Sequence, residues 1–111
     1  MSDYSPDKWV MLKINHKGKD VYKILASWYG GYARGDSWKL NSGCTKIEED
    51  GDFYLFHGSS GSVYHCHKKT YGMSAYTMAV LSNLQEEAKD ANDITLELLP
   101  DSTNFMELNY E

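Results

Sequence analysis

Near its start the chain reads Lys8-Trp9-Val10-Met11-Leu12-Lys13-Ile14-Asn15-His16, followed by the turn Lys17-Gly18-Lys19. Val10, Leu12 and Ile14 recur at every second position, which is typical of a strand with one apolar face. A second strand is predicted from about Val21 to Trp28, because its apolar residues alternate in the same way. Together the two segments predict an antiparallel hairpin near the start of the chain.

Two registers are open to this hairpin. A three-residue turn pairs Leu12 with Ile24 and collects the apolar side chains on one face, although it places Lys13 opposite Lys23. A two-residue turn separates these lysines but mixes apolar and charged side chains on each face. Burial of a single face favours the three-residue turn, which is therefore the predicted register.

The rest of the chain reads as short strands with one helix. A helix is predicted at about 74–91, with Ser74 as its N-cap. Alternation or turn signals predict further strands on both sides of it, and a terminal hairpin that ends in a run containing Met106, Leu108 and Tyr110. The predicted strands after the first hairpin are 37–40, 44–48, 53–57, 62–67 and 94–98. The apolar helical stripe contains Met73, Tyr76, Val80, Leu84 and Ala88.

These elements predict the α+β class. We expect a single domain, 1–111, with a mostly antiparallel sheet of about five to seven short strands and the helix packed on one face. Hydrophobic residues make up 41% of the chain and charged residues 24%, which fits an ordinary folded domain. The polar start and the lack of a long apolar run predict a cytoplasmic protein. We therefore expect Cys44 and Cys66 to be free thiols.

Charge is unevenly distributed along the chain. Residues 1–47 contain eight Lys and Arg against four Asp and Glu, whereas residues 48–111 contain three against twelve. A pI near 5.3 and a single Arg make nucleic acid an unlikely partner. The asymmetry fits a protein partner, or a homodimer formed through the basic N-terminal and acidic C-terminal regions. The alternative is a solvated acidic edge that favours solubility.

A glycine-rich segment with several aromatic rings is the first candidate binding site. Residues 28–38 contain Tyr29, Tyr32, Arg34, Asp36 and Trp38 among three glycines. Tyr, Trp and Arg are the residue types that most often dominate binding energy, and loops carried by rigid strands often bind ligands. The structural alternative is a wide turn whose rings fold back over the core.

Histidines suggest a weaker candidate. His65 and His67 project from the same face of a predicted strand, a spacing found in two-histidine metal ligands. If residues 58–61 form a four-residue loop, His57 faces Ser62 and lies on the opposite side, together with Cys66. The pair then lacks a third ligand, and Cys66 lacks a histidine base among its sequence neighbours. We expect no catalytic residue and no cofactor, with His65 and His67 as weak metal candidates.

The segment Gly58-Ser59-Ser60-Gly61-Ser62 is rich in hydroxyl groups and glycine. Its backbone N–H groups suit an anion cradle. Gly and Ser are also what an ordinary hairpin loop requires, which is the favoured interpretation.

The leading functional hypothesis is a small interaction module without catalytic activity, because no catalytic constellation is present. A small-ligand-binding protein or enzyme that uses residues 28–38 is the alternative. Metal binding through His65 and His67 is the second alternative.

Overall fold

The computed structural model describes residues 3–30, 35–91 and 93–110. These residues form eight strands, one helix and a short 3₁₀ turn, which confirms the α+β class. The strands are β1 (Asp3–Tyr4), β2 (Lys8–His16), β3 (Lys19–Trp28), β4 (Ser37–Leu40), β5 (Cys44–Asp50), β6 (Phe53–Gly58), β7 (Val63–His67) and β8 (Ile94–Leu98). The helix α1 spans Ala75–Asp90, and the 3₁₀ turn spans Phe105–Glu107. No helix of the described chain is long and apolar enough to cross a membrane.

The strands divide into two four-stranded sheets. Sheet A has the order β1-β7-β6-β5, and sheet B has the order β4-β3-β2-β8. Strand β1 runs parallel to β7, and every other strand pair in the described part is antiparallel. Sheet B is the middle layer, because one of its faces packs on sheet A and the other carries α1.

The predicted register of the first hairpin is wrong. Leu12 pairs with Lys23, and the connection is the two-residue turn Lys17-Gly18. Both turn residues have positive φ, 54° for Lys17 and 83° for Gly18. Positive φ at both positions is typical of the tight turn whose twist matches that of the two strands.

The register differs because both faces of the hairpin are buried. Trp9 and Met11 project into the layer shared with sheet A, whereas Val10 and Leu12 project into the layer shared with α1. All four are at most 2% exposed. The predicted register assumed one continuous apolar face, whereas this strand has two.

The layer between the sheets is built from aromatic rings. The Trp9 ring contacts Tyr71 at 4.7 Å, Phe105 at 5.2 Å and Phe56 at 5.3 Å between centroids. Edge and tilted contacts of this kind stabilise aromatic cores beyond simple burial. The Trp9 indole N–H also donates to the His67 carbonyl oxygen at 2.8 Å, which ties sheet B to sheet A.

Helix α1 begins where the sequence predicts. The Ser74 hydroxyl oxygen accepts a hydrogen bond from the Thr77 N–H and caps the helix. The predicted stripe is displaced, however, because the buried helix residues are Thr77 and Leu81, while Tyr76 is 41% exposed. Val80 and Leu84 are half-buried at the edge of this contact.

The predicted terminal strand is wrong. Met106 and Leu108 do not pair in a sheet; the chain instead forms the 3₁₀ turn, and Tyr110 donates a hydrogen bond from its hydroxyl to the Phe105 carbonyl at 2.7 Å. Phe105 is 3% exposed and enters the aromatic layer. In the predicted strand, Met106, Leu108 and Tyr110 would share the buried face and Phe105 would point away from it. The burial of Phe105 therefore does not fit that strand.

Asn41 stabilises the crossing of the chain from sheet B to sheet A. It is 3% exposed, and its side-chain oxygen accepts from the Ile24 N–H at 2.8 Å. Its backbone N–H donates to the Ile24 carbonyl at 3.0 Å, and its amide N–H group donates to the Cys44 sulfur at 3.5 Å. Asn41 thereby satisfies the Ile24 backbone groups just beyond the end of β4.

Replacing Asn41 with Ala should lower the free energy of unfolding by about 1–3 kcal/mol, because the buried Ile24 N–H loses its acceptor. Chemical denaturation measures this change. Ser42→Ala is the matched control, since the Ser42 hydroxyl accepts from the Ser60 N–H at 3.0 Å in an exposed position where water can replace it. Equal losses in the two variants would contradict this role of Asn41.

Candidate functional site

Two large rings are exposed where the chain leaves β3 and returns in β4. Tyr29 is 54% exposed and Trp38 is 40% exposed. Trp38 pairs with Ser27 on the adjacent strand, which places its side chain on the face of sheet B that α1 covers. We call Tyr29 and Trp38 the aromatic end of sheet B.

The neighbouring ring has a structural role. Trp28 packs edge-on against Tyr4 with centroids 6.2 Å apart, and its indole N–H donates to the Ser5 carbonyl oxygen at 3.0 Å. Trp28 thus attaches the N-terminal segment to the sheet. Among the described rings of this segment, Trp28 packs back toward the core, whereas Tyr29 and Trp38 are exposed.

The backbone under the aromatic end is held in place. The Tyr29 N–H donates to the Asp7 carboxylate at 2.8 Å, and the Asp7 N–H donates to the Ser27 carbonyl at 2.9 Å. A Cβ atom at Gly30 would lie 1.5 Å from the Gly35 carbonyl oxygen, so the two ends of the connection touch. Only glycine allows so close an approach at this position.

The remaining predicted binding residues are placed as follows. Asp36 is half-buried at the start of β4. Tyr32 and Arg34 lie outside the described residues. Two pockets, of about 490 and 460 Å³, are lined by other parts of the chain. The small-ligand hypothesis at residues 28–38 thus gains no support from either pocket.

The predicted position of His57 is wrong. His57 pairs with Val63, so it projects from the same face as His65 and His67, which is the outer face of sheet A. Cys66 lies on the inner face and is fully buried. The loop between β6 and β7 is one residue longer than the predicted four-residue loop, because Phe56, and not His57, must face the core beside Tyr64.

The outer face of sheet A carries two pairs of histidine and carboxylate. His57 Nε2 lies 3.0 Å from a Glu48 oxygen, and His65 Nε2 lies 3.5 Å from an Asp3 oxygen. Both pairs join neighbouring strands, β5 with β6 and β1 with β7. They attach the outer strands of sheet A to its inner strands.

His67 is engaged differently. Its Nδ1 accepts from the Lys69 N–H at 3.0 Å, so the neutral ring carries its proton on Nε2. Neither nitrogen then offers a free lone pair to a metal ion. Within the described part of the chain, no three His, Cys, Asp or Glu side chains are arranged to hold a metal. Metal binding through His65 and His67 therefore gains no support.

Both thiols are buried and free. Burial raises the pKa of Cys44 from 9.0 to about 12, and it raises the pKa of Cys66 well above its ordinary value. The thiolate, not the thiol, is the nucleophile. These groups therefore stay protonated at neutral pH and contribute packing.

Backbone N–H groups of the serine-rich loop, residues 58–62, already donate hydrogen bonds within the protein. The Ser59 N–H donates to the Gly43 carbonyl at 2.9 Å, the Ser60 N–H to the Ser42 hydroxyl at 3.0 Å, and the Gly61 N–H to the Gly58 carbonyl at 3.0 Å. Backbone N–H groups already engaged in this way do not form an anion cradle. The geometry supports an ordinary hairpin loop.

The two charged regions lie next to each other in one molecule. β8 pairs with β2, so Lys13 lies opposite Glu97. The Lys17 N–H also donates to the Asp93 carbonyl at 3.2 Å. Part of the basic N-terminal region thus lies beside part of the acidic C-terminal region in the same molecule.

The groove between α1 and β8 is a feature that the sequence analysis missed. It corresponds to the pocket of about 490 Å³, and we call it the helix–strand groove. A signal was present, since Ser82, Gln85 and Lys89 share one side of a helix by their spacing. The order of the strands, which leaves β8 at a sheet edge, was not evident from the sequence.

Comparison with models of known protein families, with curated proteins and with solved structures found no match.

Stability should fall as pH rises above about 9, because the native state holds protons on the buried thiols that the unfolded state releases. Each pH unit above the ordinary value removes up to about 1.4 kcal/mol per thiol. Urea unfolding at several alkaline pH values measures the slope. The free energy of unfolding of Cys44→Ala should fall less steeply with pH than that of the natural chain. Identical slopes would contradict the raised pKa of Cys44.

Proposed function

We propose that this protein is a protein-binding module without catalytic activity, and that it binds through the aromatic end of sheet B. The observation that carries the proposal is the exposure of Tyr29 and Trp38, at 54% and 40%, close together at one end of sheet B. Of the other described aromatic rings, Tyr76 and Phe53 are similarly exposed and the rest are packed. Isolated exposed rings are common in proteins. Two large rings on an anchored strand connection are a more specific feature.

The chemistry of these rings suits a macromolecular partner. Trp and Tyr each contribute a large apolar area with a polar tip, and they are the residue types most enriched among binding hot spots. The two rings stand on an exposed sheet end, and neither lines the two pockets. A partner surface that brings its own concavity fits this arrangement better than a small molecule does.

The anchored backbone also favours binding. Hydrogen bonds from Tyr29 to Asp7 and from Asp7 to Ser27 fix the position from which the Tyr29 ring projects. A surface that is ordered before it meets its partner loses less conformational entropy on association. This geometry supports recognition by a preformed surface.

A partner of different sequence is favoured over self-association. The homodimer hypothesis needs the basic N-terminal region of one copy to meet the acidic C-terminal region of another. Within one molecule Lys13 already lies opposite Glu97. The first hairpin and β8 are therefore already neighbours in one molecule, so we place the partner contact at the aromatic end instead.

Trp38→Ala should weaken binding of the specific partner by about tenfold or more, as for a hot-spot residue. At this affinity the partner should no longer be captured from cell extract. Tyr76→Ala is the matched control, because Tyr76 is a ring of similar exposure, 41%, on α1. The measurement is quantitative pull-down with each protein immobilised, followed by titration of the purified partner. Thermal unfolding of each variant checks that the fold is kept.

Partners that are retained by the natural chain and by Tyr76→Ala, but lost from Trp38→Ala, support the proposal. Equal retention by all three proteins would contradict it, as would the absence of any partner specific to the natural chain.

A further inference from the structure

A second surface lies at the opposite edge of sheet B, where α1 and β8 border the helix–strand groove. The helix side is lined by Ser82, Gln85 and Lys89, and the strand side by Ile94, Thr95 and Leu96. The groove has a volume of about 490 Å³, which is within the size range of ligand-binding clefts.

β8 offers an open hydrogen-bonding edge along this groove. It is the last strand of sheet B and pairs with β2 alone. The Leu99 N–H donates to the Met11 carbonyl at 3.1 Å, so Glu97 and Thr95 also direct their peptide groups toward β2. The peptide N–H and C=O groups of Ile94, Leu96 and Leu98 then point outward, away from the sheet.

Two of these strand residues, Ile94 and Leu96, form an apolar floor of the groove, and Leu98 continues the same apolar row along β8. Leu96 and Leu98 pair with Ile14 and Leu12, so their side chains lie on the face of sheet B that carries α1. Leu98 nevertheless remains 37% exposed, which shows that α1 does not cover the edge fully. Met78 is 53% exposed, and its spacing places it on the same side of α1 as Ser82 and Gln85.

We propose that the helix–strand groove binds an extended peptide segment of a partner protein, which adds to β8 as a fifth strand of sheet B. Strand addition supplies main-chain hydrogen bonds, and every second peptide side chain enters the groove. β8 has five residues, so a segment of about five to six residues, near 17–20 Å, matches it. This site is separate from the aromatic end of sheet B.

Charge selects the kind of peptide. Residues 86–98, which comprise the end of α1, the following turn and β8, contain five Asp and Glu and a single Lys. Lys89 lies 3.4 Å from Glu86, so part of its charge is already balanced. A segment that alternates apolar residues with Lys or Arg complements both the apolar floor and this acidic surrounding.

A second copy of this chain is a poorer occupant. Antiparallel pairing of β8 with the β8 of another molecule would bring the two Glu97 side chains onto neighbouring strands. Like charges on neighbouring strands destabilise a sheet. The acidic surrounding thus favours a basic partner and opposes self-association.

The test is binding of a fluorescent peptide, acetyl-Lys-Val-Lys-Val-Lys-Val-amide, measured by anisotropy. We expect saturable binding that weakens as salt is added, because exposed charges are screened. The acidic analogue with Glu in place of Lys should not bind. N-methylation of the amides on one edge of the peptide should abolish binding, and N-methylation on the other edge should leave it, since an added strand uses one edge only.

Protein variants locate the site. Leu98→Pro removes one outward N–H and leaves the hydrogen bonds to β2, so it should weaken binding about three- to tenfold relative to Leu98→Ala. Trp38→Ala, which tests the other surface, should bind the peptide normally. The proposal would be overturned by equal affinity for the basic and acidic peptides, or by equal effects of N-methylation on both edges. It would also be overturned if Trp38→Ala lost peptide binding while Leu98→Pro kept it. Failure of the partner capture described above would leave this result unchanged.

Discussion

Burial of both faces of the β2–β3 hairpin is the constraint on which the rest of the structure depends. Trp9 and Met11 project to one side, and Val10 and Leu12 to the other, with no exposure above 2%. A hairpin of this kind needs a cover on each side, because about 1.5–3 kcal/mol is lost for each large apolar side chain left in water. Sheet A supplies one cover and α1 the other.

This central position decides which surfaces remain for binding. The inner faces of both sheets are filled by the core, and α1 covers much of the opposite face of sheet B. What remains exposed on sheet B is its two edges, β4 and β8. The aromatic end lies at one edge and the helix–strand groove at the other. The outer face of sheet A is engaged in its own pairs of histidine and carboxylate.

Local signals in the sequence were enough for most of the secondary structure, although they missed β1 and wrongly predicted a terminal strand. Ser74 marked the start of α1, and the alternation of Ile94, Leu96 and Leu98 marked β8, because capping and periodicity depend on near neighbours. The sequence placed Tyr29 and Trp38 in a candidate binding segment, but it did not indicate that Asp7 holds the backbone of Tyr29.

Pairing could not be predicted in the same way. The register of β2 with β3 depends on how many faces are covered, and the position of His57 depends on whether it or Phe56 faces the core. Each choice is made by residues far away in the chain, and a shift of one position reverses every side chain. The edge position of β8, which creates the groove, also depends on strand order. Periodicity carries no information about that order.

The most direct test of this account is the register of the central hairpin, observed by NMR through contacts between Hα atoms on opposite strands. In antiparallel sheets these contacts arise at the closely spaced, non-hydrogen-bonded pairs. The structure gives contacts between Met11 and Ile24 and between Lys13 and Tyr22. Contacts of Ile24 with Leu12 in place of Met11 would show a single apolar face, and would contradict the three-layer architecture.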